Sequence, residues 1–248
     1  MSKSLNERTL VLAHRGASAY APENTLEAFS LAIDMKADGI ETDVYLSKDG
    51  KIVILHDEKI ERTSNGQGKV SEYTYEELKF FDFGYKFKKG RSDTKIATLD
   101  ELYELVKSTD MVINIEIKSP DIAILDPMLE AAKRYGMTER VFYSSFDHLQ
   151  LERLLKIAPE APVGPLYQFN MVKPWTYAEN MSAKAVHPNY RQILLDPDYI
   201  ETCHKKGLRV NTWTVDDEEV AKRLAAQGCD SIMTNKPDVI RRALGYED

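Results

Sequence analysis

The sequence predicts a TIM (β/α)8 barrel, and three observations carry that expectation. Eight short β-rich runs alternate with helical patterns along almost the whole chain. The length, 248 residues, is the usual size of one such barrel. Polar residues of catalytic type gather where the runs end, and the C-terminal strand ends are where α/β barrels build their active sites. One domain spanning 1–248 is expected, with an insertion at 57–97 that follows a hairpin on the second strand and caps the C-terminal face.

The first strand is the apolar run 9–13, ending in His14, Arg15 and Gly16. Pro22, Glu23 and Asn24 then supply helix start signals, and Leu26, Phe29, Ile33 and Ala37 fall on one helical face. Residues 39–45 form the second strand. Lys48, Asp49, Gly50 and Lys51 give a hairpin turn signal, and 51–55 returns as an extra strand that brings His56 roughly opposite Asp43. The insertion holds a short helical pattern at 75–81. Its aromatic residues (Tyr73, Tyr75, Phe80, Phe81, Phe83, Tyr85 and Phe87) are expected to form a small core, with one or two facing the pocket. Its basic run, Lys86, Lys88, Lys89 and Arg91, reads as a solvated face.

Thr98 and Glu101 make a capping box ahead of Leu102, Leu105 and Val106. Strands at 112–117, 140–143, 162–167, 183–186, 208–213 and 231–233 then alternate with helices at 123–135, 147–157, 170–180, 197–206 and 217–227 and one opened by Pro237. Gly136, Gly207 and Gly228 close three of these helices, and Asp196 caps the one at 197–206. The segment 170–180 has the weakest helical pattern of the set.

Composition bounds the function. A hydrophobic content of 43% and a charged content of 29% belong to a soluble globular domain with an ample core. The net charge of −7 argues against nucleic acid or an anionic membrane as partner. No apolar run approaches the roughly 20 residues of a membrane span, so no stable membrane association is expected. The polar start MSKSLNERT lacks the apolar centre of a secretory signal, which makes the cytoplasm the expected compartment. Cys203 and Cys229 have no knuckle or redox spacing and read as reduced, buried thiols. No feature of the sequence specifies an oligomeric state.

Glu41 and Asp43 are two apart on a strand and therefore point the same way, where they repel unless a cation lies between them. Glu116 comes from the neighbouring strand. Three hard oxygen ligands without cysteine suit Ca²⁺ or Mg²⁺, with Zn²⁺ on His14 and His56 as the rival assignment. Arg15 and Lys118 either balance this charge or clamp a phosphate, Arg15 as a fork and Lys118 as a point charge. Singly, His14 and His56 would read as structural histidines; as a pair at strand ends beside an acidic cluster they read as an acid/base couple. His187 either lines the mouth or is a hydrogen-bonded structural residue. His148 and His204 lie in helix turns that do not face the mouth.

The runs His14-Arg15-Gly16, Pro22-Glu23-Asn24-Thr25, Glu41-Thr42-Asp43-Val44, Asp49-Gly50 and His56-Asp57 with Arg62-Thr63 resemble the signature of the glycerophosphodiester phosphodiesterase family. Glu116-Ile117-Lys118, Ser145-Phe146 and Trp213-Thr214-Val215 continue it in order. The resemblance covers nearly the whole chain. It implies a metal-dependent TIM-barrel hydrolase that converts substrates such as glycerophosphocholine or glycerophosphoethanolamine to sn-glycerol 3-phosphate and an alcohol. It places the general acid/base pair on His14 and His56, the metal ligands on Glu41, Asp43 and Glu116, and the phosphate contacts on Arg15 and Lys118. The nucleophile is water or the substrate's own 2-hydroxyl. Trp213 either packs on the glycerol carbons or closes the barrel top. Two other readings compete: phospholipase C or lysophospholipase D-type action on lipids, and a non-catalytic barrel that binds phosphorylated ligands. The charge interspersed among the insertion's aromatics favours a soluble diester over a lipid, and the presence of both histidines favours catalysis.

Overall fold

The computed structural model describes residues 8–87 and 92–246. Lys88, Lys89 and Arg91 of the expected basic face lie outside the described residues. β1 (Leu10–His14) pairs in parallel with β2 (Gly39–Leu46), and β2 with β4 (Val112–Ile117). The parallel order continues through β5 (Val141–Ser145), β6 (Val163–Tyr167), β7 (Ala185–Pro188), β8 (Arg209–Thr212) and β9 (Ser231–Thr234). β9 then pairs back onto β1, which closes the barrel. The short β3 (Ile52–Ile54) runs antiparallel to the far end of β2, beyond the stretch that β1 occupies.

The strands are so apolar because both faces are covered. One face of each packs on the helical ring: Phe29 of α1 (Leu26–Asp34), Leu102 of α3 (Leu99–Val106), Met128 of α4 (Leu125–Arg134) and Leu151 of α5 (His148–Ile157) share a continuous core with Ile40, Ile113 and Ile115. The other face fills the barrel, where Leu10, Leu12, Val112 and Met233 pack with Phe142 and Trp213. Burying each large aliphatic chain contributes on the order of 1.5–3 kcal/mol. The remaining helices are α6 (Pro174–Met181), α7 (Tyr190–Leu195), α8 (Tyr199–Lys205), α9 (Glu218–Ala226) and α10 (Pro237–Ala243). No helix among the described residues is long and apolar enough to cross a membrane.

The insertion contains α2 (Tyr75–Leu78) and two 3₁₀ turns, and its small core is mainly aliphatic, not aromatic as expected: of the seven aromatics Phe83 alone is buried in it, and Phe80, Tyr85 and Phe87 are exposed. Ile60, Val70, Leu78, Phe83 and Ile96 pack against Tyr45, Val53 and Leu55 of the hairpin, with Tyr73, Tyr75 and Phe81 at the edge. Its contact with the barrel mouth runs through Arg62, which forks onto Glu23 in the loop after β1.

Two local expectations need correction. Val44 pairs with Ile54, and the Leu55 amide donates to the Asp43 carbonyl, so Leu55 and not His56 stands across from Asp43. The segment between β7 and β8 holds two helices. Asn189 caps α7 through the Arg191 amide, and Asp196 ends that helix, so it does not start the next one. α8 begins at Tyr199, after Asp198, and the Asp196 carboxylate accepts from the Asp198 amide in the turn between the two helices. Of the two roles open to His187 the structure shows the hydrogen-bonded structural one: it is fully buried inside the barrel, where the Asn211 side-chain amide donates to its Nε2 at 2.9 Å. A Cβ on Gly164 would come within 2.3 Å of that ring, so glycine is what makes room for it.

Candidate active site

β1 ends at His14, and the chain turns at once. Arg15 adopts a left-handed conformation (φ 56°), held by its amide donating to the Glu41 carbonyl at 2.8 Å and to Glu41 Oε2 at 3.1 Å. Gly16 follows at φ 79°, and a Cβ there would lie 2.7 Å from the Ala28 backbone. Only glycine lets the turn sit on α1 this closely. The turn sends the Arg15 side chain back over β2, with Nε 3.6 Å from Asp43 Oδ2.

Strand alternation sets Glu41 and Asp43 inward, and Glu116 lies beside Asp43 in the β2–β4 register. All three are buried, and one oxygen from each lies within 4.8 Å of the others. Asp43 is fully buried; its Oδ2 accepts from Asn24 Nδ2 at 2.8 Å, while its Oδ1 has no hydrogen-bond donor. Thr42 donates to Asn24 Oδ1 and so fixes which way that amide faces.

Burial pushes the Glu41 carboxyl well above its ordinary value, and Asp43 and Glu116 push the same way. Burial likewise raises Glu116 to about 7, with Asp43 adding to it and Lys118 and Arg15 opposing. Three acids this deep, one with an oxygen that accepts no hydrogen bond, offer the oxygen ligands and negative charge that a hard divalent cation needs. The residues fit such an ion.

Lys118 Nζ lies 2.6 Å from Glu116 Oε1, 3.7 Å from Asp43 Oδ1 and 3.2 Å from His56 Nε2. It therefore balances the acids and joins them to His56. His14 presents Nε2 to the same cluster, 3.8 Å from Glu41 Oε2. Its Nδ1 meets Asn235 Oδ1 at 2.7 Å. Asp216 accepts from the Asn235 side-chain nitrogen at 2.6 Å, which fixes the amide with its oxygen toward the histidine. The proton of His14 is thus on Nδ1 and the lone pair on Nε2. Burial, aided by Arg15, lowers His14 to about 4, and burial also lowers His56, so both rings are neutral near pH 7.

Trp213 is half-buried at the end of β8. Its indole N–H donates to the His187 carbonyl at 3.0 Å, and its ring meets Phe146 edge-on at 5.4 Å. Phe146, at the end of β5, also lies 5.6 Å from Lys118 Nζ, so the two aromatics form an apolar wall beside the cationic side of the cluster. The structure thus brings His14, Arg15, Glu41, Asp43, His56, Glu116 and Lys118 together, with Trp213 at the margin. Outside the site, His148 binds Tyr177 and the Leu166 carbonyl, and His204 binds Asp230, both away from the cluster as expected.

The supporting roles of Asn24, Asn235, Asp216 and Phe146 were not legible beforehand. Asn24 and Phe146 stood in recognisable runs but carried no spacing signal. Asn235 lies 221 residues from the histidine it holds, beyond any local pattern.

Residues 14–239 match the Glycerophosphoryl diester phosphodiesterase family. A glycerophosphodiester phosphodiesterase of Caldanaerobacter subterraneus subsp. tengcongensis is 43% identical over 236 residues, which cover 94% of this chain and 96% of that one. Another from Bacillus altitudinis is 35% identical over 234 residues, covering 93% and 96%. Among solved structures, an Oleispira antarctica phosphodiesterase in complex with the product sn-glycerol-3-phosphate aligns with a TM-score of 0.89 at 28% identity, covering 96% of this chain and 97% of that one. With similarity of this extent on top of the shared barrel, the chain belongs to the glycerophosphoryl diester phosphodiesterase family.

Proposed function

We propose that this enzyme hydrolyses glycerophosphodiesters to sn-glycerol 3-phosphate and an alcohol, with Glu41, Asp43 and Glu116 as ligands of one Ca²⁺ or Mg²⁺ ion. The observation that carries this reading is the buried acidic triad with His14 Nε2 facing Glu41 and His56 Nε2 facing Lys118, which itself pairs with Glu116. When bound, the cation supplies charge neutralisation at the phosphoryl oxygens. Arg15 and Lys118 hold the phosphate and offset the charge that builds as the phosphorus–oxygen bond breaks. One histidine Nε2 takes the proton of the attacking hydroxyl. The other first takes up a proton from solvent at Nε2 and then gives it to the departing oxygen, so the alcohol leaves neutral, and the first ring returns its proton to solvent to close the count. Trp213 and Phe146 offer an apolar face for the glycerol carbons.

The named activity of the relatives in Caldanaerobacter and Bacillus, and the product held by the Oleispira protein, support this substrate class. We also read 1–248 as a single domain with the insertion 57–97, because that insertion shares its core with the β2–β3 hairpin.

One observation favours a second reading, in which the substrate carries an acyl chain. The loops after β4, β5 and β6 expose Ile122, Phe146, Phe169 and Val172, and Val172 is 85% exposed. These are barrel-mouth loops, not the insertion on which the soluble-substrate expectation rested. A panel of glycerophosphocholine, glycerophosphoethanolamine and lysophosphatidylcholine, with and without EDTA, decides between them. Release of sn-glycerol 3-phosphate from the first two, abolished by EDTA, is expected. Turnover of the lysolipid alone would establish the second reading, and turnover of none would remove the assignment.

A further inference from the structure

His56 is held from both sides. Its Nδ1 lies 2.6 Å from Asp57 Oδ1 and its Nε2 lies 3.2 Å from Lys118 Nζ. A carboxylate can only accept and an ammonium can only donate, so the proton sits on Nδ1 and the lone pair on Nε2. The second oxygen of Asp57 accepts from Arg62 Nε. The two terminal nitrogens of Arg62 fork onto Glu23 at 2.8 and 2.7 Å, and Glu23 also accepts from Arg15 Nη1 at 2.8 Å. Burial alone would raise the Glu23 carboxyl, but Arg62 and Arg15 outweigh it and hold the group at about 2. An unbroken run of charge-assisted hydrogen bonds therefore joins the imidazole of His56 to the guanidinium of Arg15.

We propose that Asp57, Arg62 and Glu23 are positioning residues for the hydrolysis, fixing His56 with Nε2 toward Lys118 at the edge of the acidic cluster and setting the Arg15 fork in register with it. The proposal rests on the assignment of His56 and Arg15 made above. None of the three touches the acidic triad. Their side chains are 34%, 44% and 21% exposed in the order Asp57, Arg62, Glu23, and ion pairs this open contribute little to stability, about 0–1 kcal/mol each. Yet every member is engaged twice, and Arg62 is bidentate. They come from two separate stretches: Glu23 from the loop after β1, and Asp57 and Arg62 from the start of the insertion. A network of low structural worth that ties two separately anchored functional groups together is a device for orientation.

The test uses the full-length, metal-loaded enzyme. Arg62→Gln and Glu23→Gln should each lower kcat/KM by about 10- to 100-fold while the melting temperature moves by only a few degrees, as supporting residues of a site do. Because both interrupt one run, the double variant should be no worse than the weaker single variant. Arg62→Lys, which keeps the charge and loses the fork, should recover part of the rate. A second readout is independent of turnover: the ¹⁵N shifts of His56 should report Nδ1–H in the wild type and a shift toward Nε2–H in Asp57→Asn. Near-wild-type kcat/KM in both glutamine variants, additive losses in the double variant, or Nε2–H in the wild type would each overturn the proposal. His56→Ala, assayed in parallel, separates the two levels of the argument. An inactive His56→Ala beside a fully active Arg62→Gln removes only the positioning network, whereas an active His56→Ala removes the catalytic reading and the network with it.

Discussion

Asn235 shows how much a single residue away from the acidic cluster decides. Its amide is fixed by Asp216 on one side and holds His14 Nδ1 on the other, so the tautomer of a catalytic-type imidazole depends on a side chain from the opposite end of the chain. Asn235→Ala should therefore lower kcat by about 10- to 100-fold with the fold retained, as read by turnover and circular dichroism, because His14 loses its orientation and not its chemistry. His14→Ala, which removes the group outright, should cost about 10²- to 10⁴-fold. Gly16→Ala should lose both stability and activity. Its φ of 79° and the 2.7 Å approach to Ala28 leave no room for a methyl group. A loss of at least ~1–3 kcal/mol in a denaturant titration is expected. The residues that bear charge or a ring nitrogen were legible in the sequence because strand alternation and strand ends place them. The residues that orient them were not, because nothing in a one-dimensional pattern pairs Asn235 with His14.

Secondary-structure elements were legible in proportion to their length. The full-turn helices and the buried strands followed from periodicity, and Thr98 and Glu101 make the capping box their spacing predicts. α7 did not, since the six residues of Tyr190–Leu195 are too short to display a helical period. The helix after it starts two residues later than expected, at Tyr199. The hairpin was foreseen but its register was off by one residue, and His56 still reaches the site because it lies beyond the end of β3 and is turned there by Asp57 and Lys118.

The insertion makes its own prediction. Asp82 accepts from the amides of Gly84, Ser92 and Asp93 and from the Ser92 hydroxyl, and so clamps the two arms of this segment together. Burial pushes Asp82 upward, but these bonds prevail and hold it at about 2 against an ordinary 3.8. A depressed carboxylate contributes stability that is present above its unfolded value and is lost as pH falls toward the folded one. The stability difference between wild type and Asp82→Asn should thus be fully present at pH 7 and vanish between about pH 4 and pH 2. A difference that persists unchanged at pH 2 would show that the clamp does not depend on charge. Leu78→Ala, in the core shared with the hairpin, should cost about 2–5 kcal/mol in the same measurement.

At the scale of the whole molecule, the closed ring explains why the site is assembled from the early part of the chain. β1, β2 and β4 are adjacent in the barrel, and β3 hangs from the end of β2, so His14, Glu41, Asp43, Glu116 and His56 converge although the insertion separates His56 from Glu116 along the chain. β9 closes the circle on β1, bringing Asn235 to His14. One continuous core over the barrel and helices, with the insertion seated on the hairpin, predicts a single unfolding transition followed by fluorescence and by circular dichroism. The net charge of −7 makes the inward acidity of the site all the more in need of a cation. Stripping the enzyme with EDTA and titrating Ca²⁺ or Mg²⁺ back while following sn-glycerol 3-phosphate release from glycerophosphocholine tests this most directly. The account predicts that release stops in the stripped enzyme and returns as the ion fills one site per chain, and that neither ion restores it in Asp43→Asn. Undiminished release from the stripped enzyme, or full recovery of Asp43→Asn, would contradict it.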